Sequence, residues 1–286
     1  MTEKPQAVVM IKEPTLPTLK PPPTLTSETQ PRPTIGVIIP TWGSPGLLKR
    51  CLRSLLRDAP RTPASDGVEI IAVDDGSCVE YTLPELEVPG VSLVRRAARG
   101  GFAATCNTGA EHARSEWLVF LNDDAFVTLR DLRRLVAVGA SGGAAIIGPQ
   151  LIGPDGRKQD SMGSLPCPAA IVLTKLGRLL GTEFPGASHR RQIPEEVACE
   201  WVSGACLAVR AEVFRDAGSF DTEFTYFEDA DLCARVRRQE ETVMATSRVT
   251  VVHIGGATFT RISAQRKEAY RRSRRLFFRR HCRVWP

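Results

Sequence analysis

No run in this 286-residue sequence approaches the ~18 consecutive apolar residues that a membrane-spanning helix requires, so a spanning helix is not expected. The opening stretch MTEKPQAVVMIKEP carries only a short apolar patch, which falls short of a secretory signal. C-x-x-C pairs are missing: Cys51, Cys78, Cys106, Cys167, Cys199, Cys206, Cys233 and Cys282 stand apart. That spacing fits neither a paired zinc site nor the dense disulfide framework of a small secreted domain, and it points to reduced thiols in a cytoplasmic protein. No G-x-G-x-x-G turn follows the first strong apolar run, which removes the dinucleotide fingerprint of hydride-transfer enzymes. The same turn, Pro40-Thr41-Trp42-Gly43-Ser44, lacks the basic glycine-rich loop that a sugar-phosphate nucleotidyltransferase would carry there.

What is present is unevenly distributed. The chain is 42% hydrophobic and 24% charged, and at this length it can bury roughly 70–75% of its unfolded surface without disulfides or a structural metal. Residues 1–34 hold eight of the 21 prolines and neither glycine nor an aromatic residue. Such a segment cannot offset its ordering entropy, so residues 1–33 are expected to form a disordered tail, either a spacer or a partner ligand. Residues 261–286 carry ten Lys or Arg against one Glu, a local charge of +9 against +6 for the whole chain, so the remainder sums to about −3. There Tyr270, Leu276, Phe277, Phe278 and Trp285 interleave with Arg271, Arg272, Arg274, Arg275, Arg279 and Arg280. A basic aromatic helix of this kind suits an anionic membrane surface, where each cation is worth about 1 kcal/mol. It equally suits a solvated helix whose Phe and Leu side chains pack on the domain. Nucleic acid would attract the same charge but is not an expected partner.

Between the ends, strand and helix patterns alternate, the mark of an α/β sheet. Residues 34–39 form an apolar run; Ser44-Pro45 then offers an N-cap and an N1 proline before Leu48, Cys51, Leu52 and Leu55 at helical spacing. Val68–Val73, Val91–Val94 and Trp117–Leu121 read as further strands, and Thr128 as the cap of a helix bearing Leu129, Leu132, Leu135 and Val136. Residues 160–198 read as loop-rich, and Thr250–Val252 as a last strand delivering His253.

Two acidic pairs follow apolar strands, Asp74/Asp75 and Asp123/Asp124. Ligands of open α/β sheets bind at the carboxyl ends of strands. Adjacent carboxylates there repel unless a cation joins them, and their oxygens suit Mg²⁺ or Mn²⁺ with phosphates and water completing the shell. Turn and cap chemistry explains Asp74/Asp75 equally well. A third pair, Glu228/Asp229, opens a helix, where Asp231 serves the helix N-terminus. His253, ending a β-branched run, is a ligand candidate.

In this order the motifs resemble glycosyltransferase family 2, the inverting transferases of the GT-A fold, over roughly residues 34–282. The resemblance rests on Pro40-Thr41, Val73-Asp74-Asp75-Gly76-Ser77, Arg99-Gly100-Gly101-Phe102 with Asn107, and Leu121-Asn122-Asp123-Asp124. It continues through Trp201-Val202-Ser203-Gly204-Ala205, Gly218-Ser219-Phe220-Asp221, Phe227-Glu228-Asp229-Ala230-Asp231-Leu232 and His253. It is closest to the bacterial rhamnosyltransferase-type members. The resemblance implies an α/β GT-A domain over 34–260, a Rossmann-like, mostly parallel central sheet flanked by helices, with a smaller acceptor-side subregion. It implies that Pro40 and Thr41 line the nucleotide pocket, that Asp75 accepts from the base, and that Arg99 and Asn107 lie along the ribose and diphosphate. The D-x-D metal motif falls on Asn122-Asp123-Asp124, with Asn in place of the first Asp. Asp124 and His253 would then hold Mg²⁺ or Mn²⁺, with Asp123 nearer the ribose or sugar. Asp229 matches the catalytic base, Glu228 stands beside it, and Trp201 would pack near the acceptor.

The implied reaction moves a sugar from a nucleotide-diphosphate donor, a dTDP- or UDP-sugar, to a saccharide or lipid-linked acceptor in bacterial polysaccharide or glycolipid synthesis. No Gln/Arg-x-x-Arg-Trp sequence occurs, so processive synthesis is not expected. The implied location is cytoplasmic, peripheral on the inner face of the membrane through residues 264–286. The alternative is a catalytically inactive nucleotide-sugar-binding or membrane-docking scaffold.

Overall fold

In the computed structural model, residues 9–11, 35–57, 62–167, 192–255 and 264–282 are described. The strands are β1 (Val9–Ile11), β2 (Ile35–Thr41), β3 (Val68–Asp74), β4 (Val91–Arg96), β5 (Trp117–Leu121), β6 (Ala125–Phe126), β7 (Ile146–Ile152), β8 (Met162–Gly163), β9 (Glu196–Ala198), β10 (Trp201–Val202), β11 (Cys206–Arg210) and β12 (Val243–His253). The helices are α1 (Pro45–Leu56), α2 (Gly101–His112), α3 (Leu129–Ser141), α4 (Ala211–Asp216), α5 (Glu228–Arg238) and α6 (Ala264–His281).

Ten strands form one sheet in the order β1-β4-β3-β2-β5-β11-β7-β12-β6, with β9 also pairing β12. The run from β1 to β5 is parallel throughout. β11 is antiparallel to β5 and β7, while β7 and β12 are again parallel. β2, β3 and β5 are nearly continuous apolar segments because helices cover both faces of a parallel sheet. The strand order reverses between β2 and β5, and β2, β3 and β5 all deliver their carboxyl ends to that crevice.

One core layer joins Leu48, Cys51, Leu52 and Leu55 of α1 with the buried side of α3. The opposite layer holds α2, α4 and α5 around a cluster in which Phe120 meets Phe220 at 4.8 Å and Phe214 at 5.0 Å between ring centroids. α2 approaches the sheet closely because it is built of small residues. A Cβ on Gly109 would sit 2.4 Å from Ile38 Cγ2. All eight cysteines are free thiols, as their spacing implied.

Several local expectations are refined. Thr128 caps α3 as expected, its hydroxyl accepting from Asp131 N–H at 3.1 Å. Ser44 does not cap α1 through its side chain. Its carbonyl accepts from Leu47 and Leu48, and Pro45 presets the first helical φ. The final strand is longer than expected because Ser247–Val249 form an irregularity in its register that breaks the apolar pattern. Inside the segment expected to be a tail, β1 pairs with Val94–Arg96; the rest of residues 1–33 lies outside the described residues, as do 168–191 of the expected loop-rich stretch. α6 buries Phe277 and Phe278 against Phe224 and Ala230, so these aromatics pack on the domain. Trp285 lies outside the described residues. No helix among the described residues is long and apolar enough to cross a membrane.

Candidate active site

A cleft of about 430 Å³ opens at the switch-point crevice. Pro40, Thr41, Asp75, Arg99, Asp123, Asp124, Glu228, Asp229 and His253 all line it. Asn107 and Trp201, the other two residues expected in the site, do not.

Asp74 and Asp75 divide their work. Asp74 is fully buried at the end of β3, ion-paired to Arg95 at 3.0 Å and accepting from Ser77 N–H. The next residue, Gly76, has φ +66°, and a Cβ there would meet the Ala98 carbonyl carbon at 2.8 Å, so the turn requires glycine. Asp75 Oδ1 accepts from Arg96 (2.6 Å) and Gly100 N–H (2.8 Å), and Oδ2 from Gly101 N–H (2.8 Å) at the start of α2. A carboxylate offers about four acceptor positions, so one, on Oδ2, is left for a ligand. Across the mouth, the Arg99 guanidinium stacks 3.6 Å from the ring centroid of the exposed Trp42.

The β5–β6 turn carries Asp123 and Asp124. Thr41 donates to Asp123 Oδ2 at 2.7 Å, tying this turn to the end of β2. Burial, together with the Asp124 charge, pushes the Asp123 carboxyl up to about 6 against the lowering effect of the Thr41 bond. His253, at the end of β12, points Nε2 at Asp124 Oδ1 from 3.3 Å. Gln159 donates through Nε2 to the His253 carbonyl at 2.8 Å, which orients its amide so that Oε1 accepts from His253 Nδ1, also at 2.8 Å. His253 therefore presents Nε2 to Asp124 Oδ1, and a cation placed between these two atoms would be ligated by both. Among the described residues no three His, Cys, Asp or Glu side chains converge as a self-sufficient metal site. The Asp124–His253 pair therefore fits a Mg²⁺ or Mn²⁺ ion that takes few protein ligands and completes its shell from a bound diphosphate and water.

The second carboxylate pair stands at the N-terminus of α5. Phe227, which precedes it, has φ +72°, a left-handed conformation costing a non-glycine residue about 1–3 kcal/mol. Asp229 accepts from Gly204 N–H at 2.8 Å and from Ala230 N–H at 2.7 Å. Its carboxyl is raised by burial, with the Gly204 N–H and the Trp201 indole opposing the rise. Glu228 is pushed up to about 8 by burial and then by the neighbouring Asp229 charge. Both carboxyls of the pair are thus held above the ordinary carboxylate range, which favours a proton shared within the pair.

Two further residues named from the resemblance, Asn107 and Trp201, make contacts outside the cleft lining. Asn107 spends both ends of its amide on Phe220, Nδ2 donating to the carbonyl (2.8 Å) and Oδ1 accepting from N–H (3.0 Å). It fastens α2 to the loop before α5 and does not reach the cleft. Trp201 lies in β10, paired with β8, and packs against the cluster of Phe224, Phe277 and Phe278. Asp231 also does more than serve a helix terminus: it is 1% exposed and paired to both Arg235 and His281 at 2.7 Å. Gln159 carries no motif signal and emerges only from the fold; Gly204 lies inside the Trp201–Ala205 motif and Trp42 beside Pro40-Thr41, but their contacts to Asp229 and Arg99 become visible only there.

A mostly parallel sheet with one carboxylate pair beside a histidine and a second at a helix N-terminus, both facing one switch-point cleft, defines a glycosyltransferase of the GT-A type. The chain belongs to glycosyltransferase family 2: the family model described as glycosyl transferase family 2 matches residues 36–216. An uncharacterized protein of Sinorhizobium fredii is 30% identical over 220 residues, 72% of this chain. An N-acetylglucosaminyl-diphospho-decaprenol L-rhamnosyltransferase of Mycobacterium tuberculosis is 25% identical over 274 residues, 88% of this chain. The chain spans 23% of the length of the first relative and 86% of the second. Among solved structures, a mannosyltransferase of Pyrobaculum calidifontis in complex with GDP-Man and Mn²⁺ shares the fold. Its TM-score is 0.53 at 20% identity, over 87% of this chain and 63% of that one.

Proposed function

We propose that this cleft is the active site of a divalent-metal-dependent, inverting transferase that moves a sugar from a nucleotide-diphosphate donor to a lipid-linked saccharide. The observation that carries the reading is the convergence of two chemically different carboxylate pairs on one cleft. Asp124 and His253 would hold Mg²⁺ or Mn²⁺, which when bound neutralises charge on a departing diphosphate. Asp75 offers its remaining acceptor position to the nucleobase, Arg99 and Trp42 flank the entrance, and Asp123 stands beside the ribose or sugar. Asp229, oriented by the Gly204 and Ala230 N–H groups, accepts the proton of the acceptor hydroxyl as that oxygen attacks the anomeric carbon, with Glu228 alongside. A base facing the acceptor side, apart from the leaving group, implies inversion. Support for the donor class comes from the neighbour bound to GDP-Man and Mn²⁺, and for the acceptor class from the relative named for a diphospho-decaprenol substrate.

Peripheral attachment to an anionic membrane belongs to the same reading. Arg272, Arg275 and Arg279 line a groove on α6 together with Glu223 and Glu268; those two carboxylates pair with Arg280 and Arg271, and the three arginines have no ion-pair partner among the described residues. The experiment is a panel of nucleotide sugars scored for thermal stabilisation with and without Mn²⁺, using the wild type and Asp124→Ala. The expected result is Mn²⁺-dependent stabilisation by one donor, absent from the variant. Equal stabilisation of both proteins refutes the metal assignment.

A further inference from the structure

We infer that the C-terminal helix α6 is a brace that sets the position of the base-bearing loop, with Ser273 as its positioning residue. The inference rests on the reading of Asp229 as the base, and it goes beyond that reading by assigning the base's geometry to an element outside residues 36–216.

Residues 225–231 enter the cleft with Thr225, Tyr226, Glu228 and Asp229 on its wall. α6 holds this segment at three points. Ser273, 2% exposed, is the only aliphatic hydroxyl in the arginine-rich sequence of α6. Its Oγ accepts from the backbone N–H groups of both Thr225 (3.2 Å) and Tyr226 (3.3 Å). Next, the Phe227 ring packs on Tyr270 at 5.1 Å and on Phe277 at 5.7 Å between centroids. This contact lies on the one residue that adopts the left-handed backbone immediately before Glu228-Asp229. Finally, His281 Nε2 donates to Asp231 Oδ1 at 2.7 Å, and Asp231 N–H closes back on the Phe227 carbonyl at 2.8 Å.

A strained backbone persists only where its surroundings over-determine it, and here α6 supplies those surroundings from both sides of Phe227. The donor half of the cleft is built independently. Asp123 is tied to Thr41 and His253 to Gln159, through bonds in which α6 takes no part. Loss of the Ser273 acceptor leaves two inward-facing N–H groups without their partner, which favours relaxation of the loop. The two halves of the site therefore respond differently: the carboxylate pair on α5 moves, while the metal and nucleotide side does not.

The test uses the full chain with Ser273→Ala and Ser273→Thr. Amide hydrogen exchange is followed over 222–231 and over 117–126. Affinity for Mn²⁺ with UDP or dTDP, whichever the wild type binds, is measured beside kcat for transfer. In Ser273→Ala we expect exchange at Thr225 and Tyr226 to quicken at least tenfold, kcat to fall roughly 10- to 100-fold, and nucleotide affinity to stay within twofold. Ser273→Thr, which keeps the oxygen, restores slow exchange and most of kcat. Unchanged exchange in Ser273→Ala overturns the brace, as does unchanged kcat in an active enzyme or an equal fall in kcat and nucleotide affinity. A wild type that transfers no sugar at all instead overturns the reading of Asp229, and with it the brace as a device for that base.

Discussion

The proton held by the Glu228/Asp229 pair makes a quantitative prediction about stability. Glu228 has an ordinary value of 4.5 that burial, with help from the Asp229 charge, raises to about 8 in the folded chain. A carboxyl with a raised folded value binds protons more tightly when folded, so stability is full below its unfolded value and is lost as pH rises toward the folded one. At ~1.4 kcal/mol per tenfold change in proton affinity, the complete loss is about 5 kcal/mol, of which about 3 kcal/mol has accrued by pH 7. Glu228→Gln removes the titration. Near pH 5 the variant should be no more stable than the wild type, because Glu228 Oε2 is buried without a hydrogen-bond partner among the described residues and an amide there gains nothing. Between pH 5 and pH 8 its stability relative to the wild type should rise by about 3 kcal/mol. Urea unfolding at pH 5, 7 and 8, in metal-free buffer, reads this difference directly. Parallel profiles for the two proteins would refute the raised folded value of Glu228.

Further outcomes follow from the same geometry. Asp229→Asn should bind donor as the wild type does yet lose turnover by ~10²–10⁴-fold; turnover near the wild-type rate would discard Asp229 as the base. Gln159→Leu removes both contacts that orient His253, and calorimetric titration should show Mn²⁺ affinity in the presence of nucleoside diphosphate falling about 10- to 100-fold. An affinity unchanged in that variant would sink the orienting role of Gln159. Gly109→Ala places a methyl group 2.4 Å from Ile38 Cγ2 and should destabilise the fold by ~1–3 kcal/mol in urea, whereas a loss under ~0.5 kcal/mol would mean that α2 does not depend on this close approach.

The parts of the site that were legible beforehand share one property: they sit where a periodic signal stops. β2, β3 and β5 are apolar runs broken by Pro40-Thr41, Asp74-Asp75 and Asn122-Asp123-Asp124, and buried parallel strands end in this way at a ligand crevice. The residues whose contacts were not legible beforehand are polar side chains whose partners are remote. Asn107 is 113 positions from Phe220, and Gln159 is 94 from His253. No local pattern distinguishes an amide spent on a distant backbone from one waiting for a ligand. The basic aromatic segment shows the same limit. Its composition allowed both lipid contact and packing on the domain, and only the fold showed Phe277 and Phe278 turned inward with Ser273 between the arginines as an acceptor.

The amino-acid sequence alone determined the alternation of strands and helices, the starts of α1 and α3, and the acidic pairs at strand ends, because each follows from periodicity and local turn chemistry among near neighbours. Tertiary structure decided which carboxylates share a cleft, which of them burial raises, how His253 is turned and what holds Phe227 in its left-handed conformation. These depend on strand order and on burial, and both are set by contacts between residues that the linear chain keeps far apart.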